Sequence, residues 1–594
     1  MKKLMTGNEA IARGVYEYGT HFASAYPGTP STEILENISQ YKEVIAEWAP
    51  NEKVALESVA GAAFVGGRAL AAMKHVGVNV AADALFTLSY CGVLGGMILV
   101  SADEPGMHSS QNEQDNRNYA KFAKIPMFEP ADSQEAKAFI KDAYEISEKY
   151  GTPVLYRITT RISHSKGIVE LGEREEVEIK EYAKNIKRMV SVPSTARSNR
   201  HIVEKRTKEL LELSNDCKWN YPIYNDKKIG VITSGSVFEY AKEVFGDTVS
   251  YLKLGFTNPL PTTLIEDFAK EVETLYIIEE NDPYIEEHVK ALGIDCIGRD
   301  IFPYTGELTP DVIRKSVYGK DKQVFEENPD KLIMRPPTYC SGCPHRAVFV
   351  ELGKRKNTII AGDIGCYALG FAPPYNAMDW VLCMGSSFST GHGAQKVLNL
   401  KKDNDKRLVS VLGDSTFFHT GINSLLDVVY NNSNTINLIL DNRITAMTGG
   451  QDNPGSGFSA QGEIADVVDF ETLVRGCGIK HVKVINPNIK AEVVEALNWA
   501  YTLDEPSVII TQWPCVLKRK YNDDDKSKFG EAFKTNCKVI EDKCIGCKLC
   551  LKTGCPSLGF KKDEKKATIN KNTCVGCGVC KGECPVGAIV KEER

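Results

Sequence analysis

Nine of the 18 cysteines in this 594-residue chain lie between positions 537 and 584. Eight of them form two runs. The second run, Cys574, Cys577, Cys580 and Cys584 followed by Pro585, keeps the spacing C-x2-C-x2-C-x3-C-P without deviation. The first, Cys544, Cys547, Cys550 and Cys555 followed by Pro556, carries one extra residue in its last gap. Thiolates at these intervals hold three corners of an iron–sulfur cube, and where two runs share a domain the fourth cysteine of each reaches the other cube. The spacing predicts two [4Fe–4S] clusters, one on Cys544, Cys547, Cys550 and Cys584, the other on Cys574, Cys577, Cys580 and Cys555. The extra residue makes Cys555 the least regular of the eight ligands. Zinc is the alternative, but structural zinc sites use other spacings. Clustered cysteines in a reducing compartment point to metal rather than to disulfides. Such clusters carry electrons, so chemistry elsewhere in the chain must supply them.

A source is suggested by residues 409–442, "VSVLGDSTFFHTGINSLLDVVYNNSNTINLILDN". An apolar strand runs into Gly413-Asp414-Ser415, a helix follows, and a second apolar strand ends at Asn442, 28 residues beyond Asp414. In a parallel sheet this brings the carboxyl ends of two strands to one edge, where ligands of such sheets bind. Asp and Asn side chains there are hard oxygen ligands suited to Mg2+ on a diphosphate. The tight turn at Gly413 lets backbone amides and a helix N-terminus approach the phosphates. An ordinary buried strand–helix–strand unit, with Asp414 as a helix cap, is the bland alternative.

The stretch resembles the thiamine diphosphate signature, in which Gly-Asp-Gly and Asn-Asn bracket about this length. Ser415 stands in place of the last Gly and Asp441 in place of the first Asn. The resemblance implies Asp414, Asn442 and the Ile444 carbonyl as Mg2+ ligands, with Gly413 and Ser415 beside the diphosphate. It also implies a glutamate that hydrogen-bonds the aminopyrimidine. Glu57, in "LESVAGAAF" (56–64), matches the pattern Glu-x-x-Ala-Gly-Ala; its other reading is an exposed helix residue.

These residues need a scaffold, and the fold class read from the sequence is α/β. The arrangement expected is a multidomain thiamine diphosphate-binding fold, parallel sheets flanked by helices, with a C-terminal α+β two-cluster ferredoxin domain. Residues 1–170 alternate strand and helix and form a pyrimidine-binding domain, in which the Ala/Gly-rich run 57–73 reads as a closely packed helix. Residues 171–226 read as a linker with a helical segment, 227–325 as a second α/β domain, 330–520 as the diphosphate and Mg domain, and 535–594 as the cluster domain. The charged segment 518–528, "KRKYNDDDKSK", reads as an exposed linker. A net charge of −6 and a pI near 6 offer no basic surface for nucleic acid. No apolar run approaches the roughly 18 residues of a membrane span, and the N-terminus lacks the apolar core of a signal peptide. A cytoplasmic location is expected.

Thiamine signature, cluster tail and "YPGTPST" (26–32) together resemble the 2-oxoacid:ferredoxin oxidoreductases. The order of parts, with "CSGCPHR" (340–346), "GDIGCYALG" (362–370) and "MTGGQDNPG" (447–455), is similar to the large alpha subunits of the indolepyruvate type. The resemblance covers essentially the whole chain. It implies that an arylpyruvate (indolepyruvate, phenylpyruvate or hydroxyphenylpyruvate) and coenzyme A give an arylacetyl-CoA and carbon dioxide, with electrons passed through the clusters to ferredoxin. It also implies a transketolase C-terminal-like identity for 227–325 and a smaller beta subunit in a two-plus-two assembly. Thr29 is the candidate for holding the substrate carboxylate. His108 and Arg117, in "EPGMHSSQNEQDNR" (104–117), either face the same pocket, where an arginine suits bidentate carboxylate binding, or lie in a solvated loop. His345 and His392 are candidates for proton transfer.

Related oxidoreductases carry a further cluster near the thiamine. Cys340, Cys343, Cys366 and Cys515 occur in the corresponding order and give a candidate third [4Fe–4S] site; buried free thiols are the alternative. Cys91, Cys217, Cys296, Cys383, Cys477 and Cys537 read as unpaired and structural. Three other functions stay open at this point. One is the same chemistry on pyruvate, 2-oxoglutarate or a branched-chain acid. The others are a non-catalytic electron-transfer subunit and a non-oxidative thiamine decarboxylase.

Overall fold

The computed structural model describes residues 1–319, 328–333, 335–403 and 405–593. The chain divides into two compact units, Met1–Pro329 and Asp330–Arg594.

The first unit is built on a seven-stranded sheet. Its order is Phe256–Asn258, Met127–Phe128, Val154–Thr159, Met97–Asp103, Ala69–Lys74, Phe22–Ala25 and Ile45–Trp48, parallel except for the first strand. Strands such as Met97–Asp103 are buried along their whole length, as parallel strands covered by helices on both faces must be. The run 57–73 is not one helix. The helix Glu52–Phe64 stops before Gly66 and Gly67, and "ALAAMK" (69–74) becomes a central strand. Gly66 takes a φ of 97°, which ends the helix, and small residues then fill a strand walled in on both faces.

A second, four-stranded sheet follows the order Thr274–Ile277, Ile229–Ser234, Ser250–Leu254 and Asn220–Ile223, the last antiparallel. The segment 171–226 is therefore not simply a linker. Its end supplies that edge strand, and its helix Pro193–Asn215 is tied to the helix His75–Cys91 by Arg206, which donates to the Ser89 carbonyl and hydroxyl, 3.0 Å each. In return, Phe256–Asn258 crosses to close the edge of the first sheet.

The second unit holds a six-stranded, all-parallel sheet. The order is Trp380–Val381, Thr358–Gly362, Arg407–Gly413, Ile436–Asp441, Ser507–Gln512 and His481–Ile485. Arg407–Gly413 and Ile436–Asp441 are neighbours, so Asp414 and Asn442 emerge side by side at one sheet edge. The tail forms two antiparallel pairs, Thr535–Val539 with Ile589–Glu593 and Leu558–Lys561 with Lys566–Ile569, around the cysteine runs. Segment 518–528 is exposed at most positions, as expected, but it is ordered around two buried charges. Asn522 caps the helix Asp523–Phe529, and Lys518 and Asp525 are buried. A buried cation and carboxylate persist because they pair with each other and with Arg443. Among the described residues no helix is long and apolar enough to cross a membrane.

Candidate cofactor and electron-transfer sites

Asp414 follows directly on its strand, and its carboxylate is buried. One oxygen accepts the Ser415 N–H at 2.7 Å and the other the Ile444 N–H at 3.1 Å. The Asn442 side-chain oxygen accepts the same Ile444 N–H, also at 3.1 Å. Burial, with Asp441 nearby, pushes the Asp414 carboxyl up to about 7. A buried acid held so far above its ordinary range is a ready partner for a cation, and Asp414 and the Asn442 amide oxygen, which share the Ile444 N–H, are hard oxygens of the kind Mg2+ takes. Asp441 is otherwise engaged: Arg443 donates to it at 3.1 Å and Gln512 at 2.9 Å. Arg443 also binds Asp525 at 2.9 Å, and Lys518 donates to the Arg443 carbonyl at 3.0 Å. This network fixes Arg443 at a φ of 65°, a conformation few non-glycine residues adopt, and so shapes the 442–444 turn. Gly413 is required by contact: a Cβ there would lie 2.7 Å from the Tyr367 ring.

Three segments converge on this turn. His345, fully enclosed, accepts from the Asn442 amide at 3.2 Å, and burial pushes its pKa down to about 4, so its ring is neutral. The Cys515 N–H donates to the Asn442 carbonyl at 2.9 Å. Tyr367 packs on Gly413 and receives the Tyr339 hydroxyl on its carbonyl at 2.9 Å. These contacts bring Cys340, Cys343, Cys366 and Cys515 within electrostatic reach of one another, with Asp414 acting on both Cys366 and Cys515. Burial raises the Cys343 thiol to about 12 and that of Cys366 to about 11. His392 lies elsewhere, 3.9 Å from Asp427.

The tail cysteines surround two cavities. One, with about 340 Å3 of open space, is lined by Cys544, Cys547, Cys550 and Cys584; the other, about 360 Å3, by Cys555, Cys574, Cys577 and Cys580. The extra residue before Cys555 does not carry it away from the second cavity. Cys537, read as structural, lines that cavity too, and its N–H donates to the Cys574 sulfur at 3.3 Å. Ser341, Gly342 and Arg346 close the same cavity from the Cys340–Cys343 loop. Gly342 has a φ of 81°, and a Cβ on it would meet Val575 at 2.2 Å. Arg346, wholly buried, donates to the carbonyls of Tyr339, Cys340 and Thr553 at 2.7, 2.9 and 2.7 Å. It thereby ties the loop to the residues just before Cys555. Lys354 and Lys490 each pair with Glu583 at 3.0 Å. The cavity at Cys574 is thus the inner one, and the cavity with exposed Cys547 is the outer one.

In the first unit the candidates separate. Arg117 does not face a pocket. It is 1% exposed and saturated by Asp115, by Glu279 at 2.7 Å, and by the carbonyls of Glu280 and Asp282 at 2.7 and 3.0 Å. A guanidinium so engaged has no fork left for a substrate carboxylate. His108 is about half exposed, with Glu307 3.9 Å away. Thr29 sits half-buried in the turn after the strand Phe22–Ala25, joined to Pro30 by a cis peptide. Glu57 lies on the exposed face of its helix, paired with Lys53. The buried acid of that helix is Glu52, 6% exposed, in its first turn beside the Asn51 cap and against Gly77. Sequence reading passed over Glu52 because the Ala-Gly-Ala spacing drew attention to Glu57; a glutamate directly after an Asn cap was the available signal.

Family models place the match in three parts. Residues 13–209 match "Pyruvate flavodoxin/ferredoxin oxidoreductase, thiamine diP-bdg", 363–511 match "Thiamine pyrophosphate enzyme, C-terminal TPP binding domain", and 567–590 match "4Fe-4S binding domain". Proteins named indolepyruvate oxidoreductase subunit IorA are similar over nearly the whole length. That of Archaeoglobus fulgidus is 38% identical over 99% of this chain and 97% of its own. That of Methanothermobacter marburgensis is 39% identical over the same shares, 99% and 97%. That of Pyrococcus horikoshii is 38% identical, again over 99% and 97%. With thiamine-binding parts, a 4Fe–4S domain and relatives of this length and identity, the chain belongs to the indolepyruvate oxidoreductase subunit IorA family, as a catalytic subunit of the 2-oxoacid:ferredoxin oxidoreductase type.

Proposed function

We propose that the chain oxidatively decarboxylates an arylpyruvate in the presence of coenzyme A, yielding an arylacetyl-CoA and carbon dioxide and passing two electrons to ferredoxin. The observation that carries the electron-transfer part is the unbroken run of contacts from Asn442, through His345 and the Cys340–Cys343 loop, to the inner tail cavity. The aryl preference rests on the names of the relatives. Thiamine diphosphate, when bound, supplies the electron sink for loss of carbon dioxide. Asp414, Asn442 and the Ile444 carbonyl hold Mg2+, while the amides after Gly413, including that of Ser415, face the diphosphate. His345, neutral and bonded to Asn442, orients that ligand. Glu52 takes the pyrimidine-side role first given to Glu57, because it is the enclosed acid of the helix. Thr29 contacts the substrate carboxylate; Arg117 and His108 take no part.

Cys340, Cys343, Cys366 and Cys515 would hold a third [4Fe–4S] cluster beside the thiamine diphosphate site. Cys574, Cys577, Cys580 and Cys555 would hold one tail cluster and Cys544, Cys547, Cys550 and Cys584 the other, and each would supply one-electron transfer. Cys547 is the exposed cysteine of the outer cavity, and exposed Ile545 and Val586 beside it would give ferredoxin an apolar contact. A smaller beta subunit completes a two-plus-two assembly. The test is an anaerobic assay of the complex with its partner subunit, following coenzyme A-dependent ferredoxin reduction with indolepyruvate, phenylpyruvate, pyruvate and 2-oxoglutarate. Preference for the aryl acids is expected; reduction with another acid alone would keep the mechanism and discard the aryl assignment.

A further inference from the structure

The tail has the opposite charge balance from the chain it closes. Residues 535–594 hold 12 lysines and arginines against 7 aspartates and glutamates, in a chain of net charge −6. Some of these lysines are neutralised in ion pairs: Lys538 and Lys571 with Glu592, at 2.9 and 2.7 Å, and Lys561 with Glu541 and Glu564, at 3.2 and 2.9 Å. Lys543, Lys548, Lys562, Lys565 and Lys566 have no carboxylate partner among the described residues. Asp542 and Asp563 are the neighbouring acids left without a cation there, so the balance stays positive. These lysines gather at the outer cavity. Lys548 lines it beside Cys547, and Lys543 precedes Cys544. Lys566 donates to the Cys544 carbonyl at 2.6 Å. A Cβ on Gly546, between Ile545 and Cys547, would run into the Lys565 carbonyl. Lys543, Lys548, Lys562 and Lys565 are exposed, and among them Ile545 is 65% and Val586 41% exposed.

We propose that this lysine-rimmed face of the outer cavity is the docking surface for an acidic electron-carrier protein, a ferredoxin, with Ile545 and Val586 as its apolar centre. The proposal rests on the ferredoxin-reducing function given above. An apolar centre inside a polar, solvated rim is the usual anatomy of a protein interface. The charge pattern selects the partner's sign. The chain as a whole is negative, so an acidic protein is repelled by most of it and drawn to the tail, which orients the encounter as well as speeding it. A bound cluster adds negative charge inside the cavity, whereas the ammonium groups stand at its rim, where an approaching carboxylate meets them first.

The test uses the complete complex, loaded with clusters, and a ferredoxin of net negative charge. Binding is read by calorimetry and reduction by kcat/KM, at salt of about 0.01 M and about 0.15 M, where screening sets in beyond roughly 30 and 8 Å. Affinity of the native complex is expected to fall as salt rises, a result that no folding defect can imitate. Lys543→Glu, Lys548→Glu and Lys565→Glu together should raise Kd and lower kcat/KM about tenfold or more at the lower salt, and should remove most of the salt dependence. Lys543→Arg, Lys548→Arg and Lys565→Arg together keep the charge and should keep the affinity. Binding indifferent to salt and to the three reversals, in a complex that does reduce ferredoxin, would overturn the proposal and leave the function standing. A native complex that reduces no ferredoxin with any 2-oxoacid would overturn both. Loss of iron in the Glu variant, or an equal fall in its reduction of methyl viologen, a small dication, would overturn the proposal by giving the lysines to the cluster. Failure of the Glu variant to assemble with the partner subunit would overturn it by giving the face to that subunit.

Discussion

Asp414 offers a prediction whose size follows from its surroundings. Without a cation its carboxyl is held at about 7, first by burial and then by Asp441. Mg2+ must displace that proton, so affinity rises with pH until the group is ionised. For a pKa of about 7, protonation weakens binding about elevenfold at pH 6 and hardly at all at pH 8, a change of about tenfold across the interval. An ordinary aspartate, titrating near 4, would give no change above pH 6. The assay is calorimetric titration of Mg2+ into the thiamine diphosphate-saturated complex at pH 6, 7 and 8. Asp414→Asn keeps the shape and removes the titrating group; it should bind more weakly throughout and show only the pH dependence of the diphosphate itself. The difference between the two profiles is therefore the quantity to read. Parallel profiles would refute the reasoning. The linkage has a second face. A carboxyl whose folded pKa is raised favours the folded state below its unfolded pKa, near 4, and loses that contribution as pH rises to about 7. The cation-free native protein should thus lose more thermal stability than Asp414→Asn across that window.

Other changes separate neighbouring readings. Glu52→Gln should lower kcat by about a hundredfold or more, the usual worth of a proton-transferring group, while Glu57→Gln should leave it within about threefold; the reverse ranking would restore Glu57. Cys515→Ser should remove one cluster's iron and leave the tail signals intact, and deleting the tail should leave one cluster behind; iron falling to zero on that deletion would end the case for a third site. Arg117→Met should destabilise the protein by roughly 3–5 kcal/mol, because it strands buried Asp115 and Glu279; a raised KM at unchanged stability would return Arg117 to the substrate. Arg346→Met removes the donor to the buried Tyr339 carbonyl, at about 1–3 kcal/mol, and to that of Cys340, while the Thr553 carbonyl keeps the Tyr375 hydroxyl; it should slow electron delivery to the tail without changing iron content, as read by stopped-flow reduction.

What the sequence disclosed follows a physical line. Short-range spacing was legible: the tail cysteines line two cavities in the grouping that their intervals imply, with Cys537 added to one, because a turn of fixed length fixes the thiols. The neighbouring strands ending at Asp414 and Asn442 were legible for the same reason, since an apolar strand, a helix and another apolar strand admit few arrangements. Exposure was not legible. Arg117 looked like a free guanidinium in a polar loop, yet its partners Glu279, Glu280 and Asp282 lie more than 160 residues away. Lys518 and Asp525 looked like solvent-facing charges until Arg443 brought them together in the interior. In the run 57–73 small residues served helix and strand alike, and only the glycine pair marked the break. The third cysteine group was legible as an order but not as a place, because its members come from the Cys340–Cys343 loop, the turn Cys366–Phe371 and the segment after the strand Ser507–Gln512.

The same geometry sets the two cavities against the order of the chain. The run nearer the thiamine-binding domain in sequence, Cys544 to Cys550, serves the outer cavity, and the later run serves the inner one. Two features impose this. The fourth cysteine of each run crosses to the other cavity, so neither quartet belongs to one stretch of chain. The tail also docks beside the inner cavity, Thr553 on Arg346 and Tyr375, Ser557 on Ser341 and Val575 against Gly342, with a further anchor at Glu583, next to Cys584, on Lys354 and Lys490. Docking therefore does more than attach a ferredoxin domain. It sets which cavity lies beside the Cys340–Cys343 loop, and it leaves Cys547 with its flanking Ile545 at the surface.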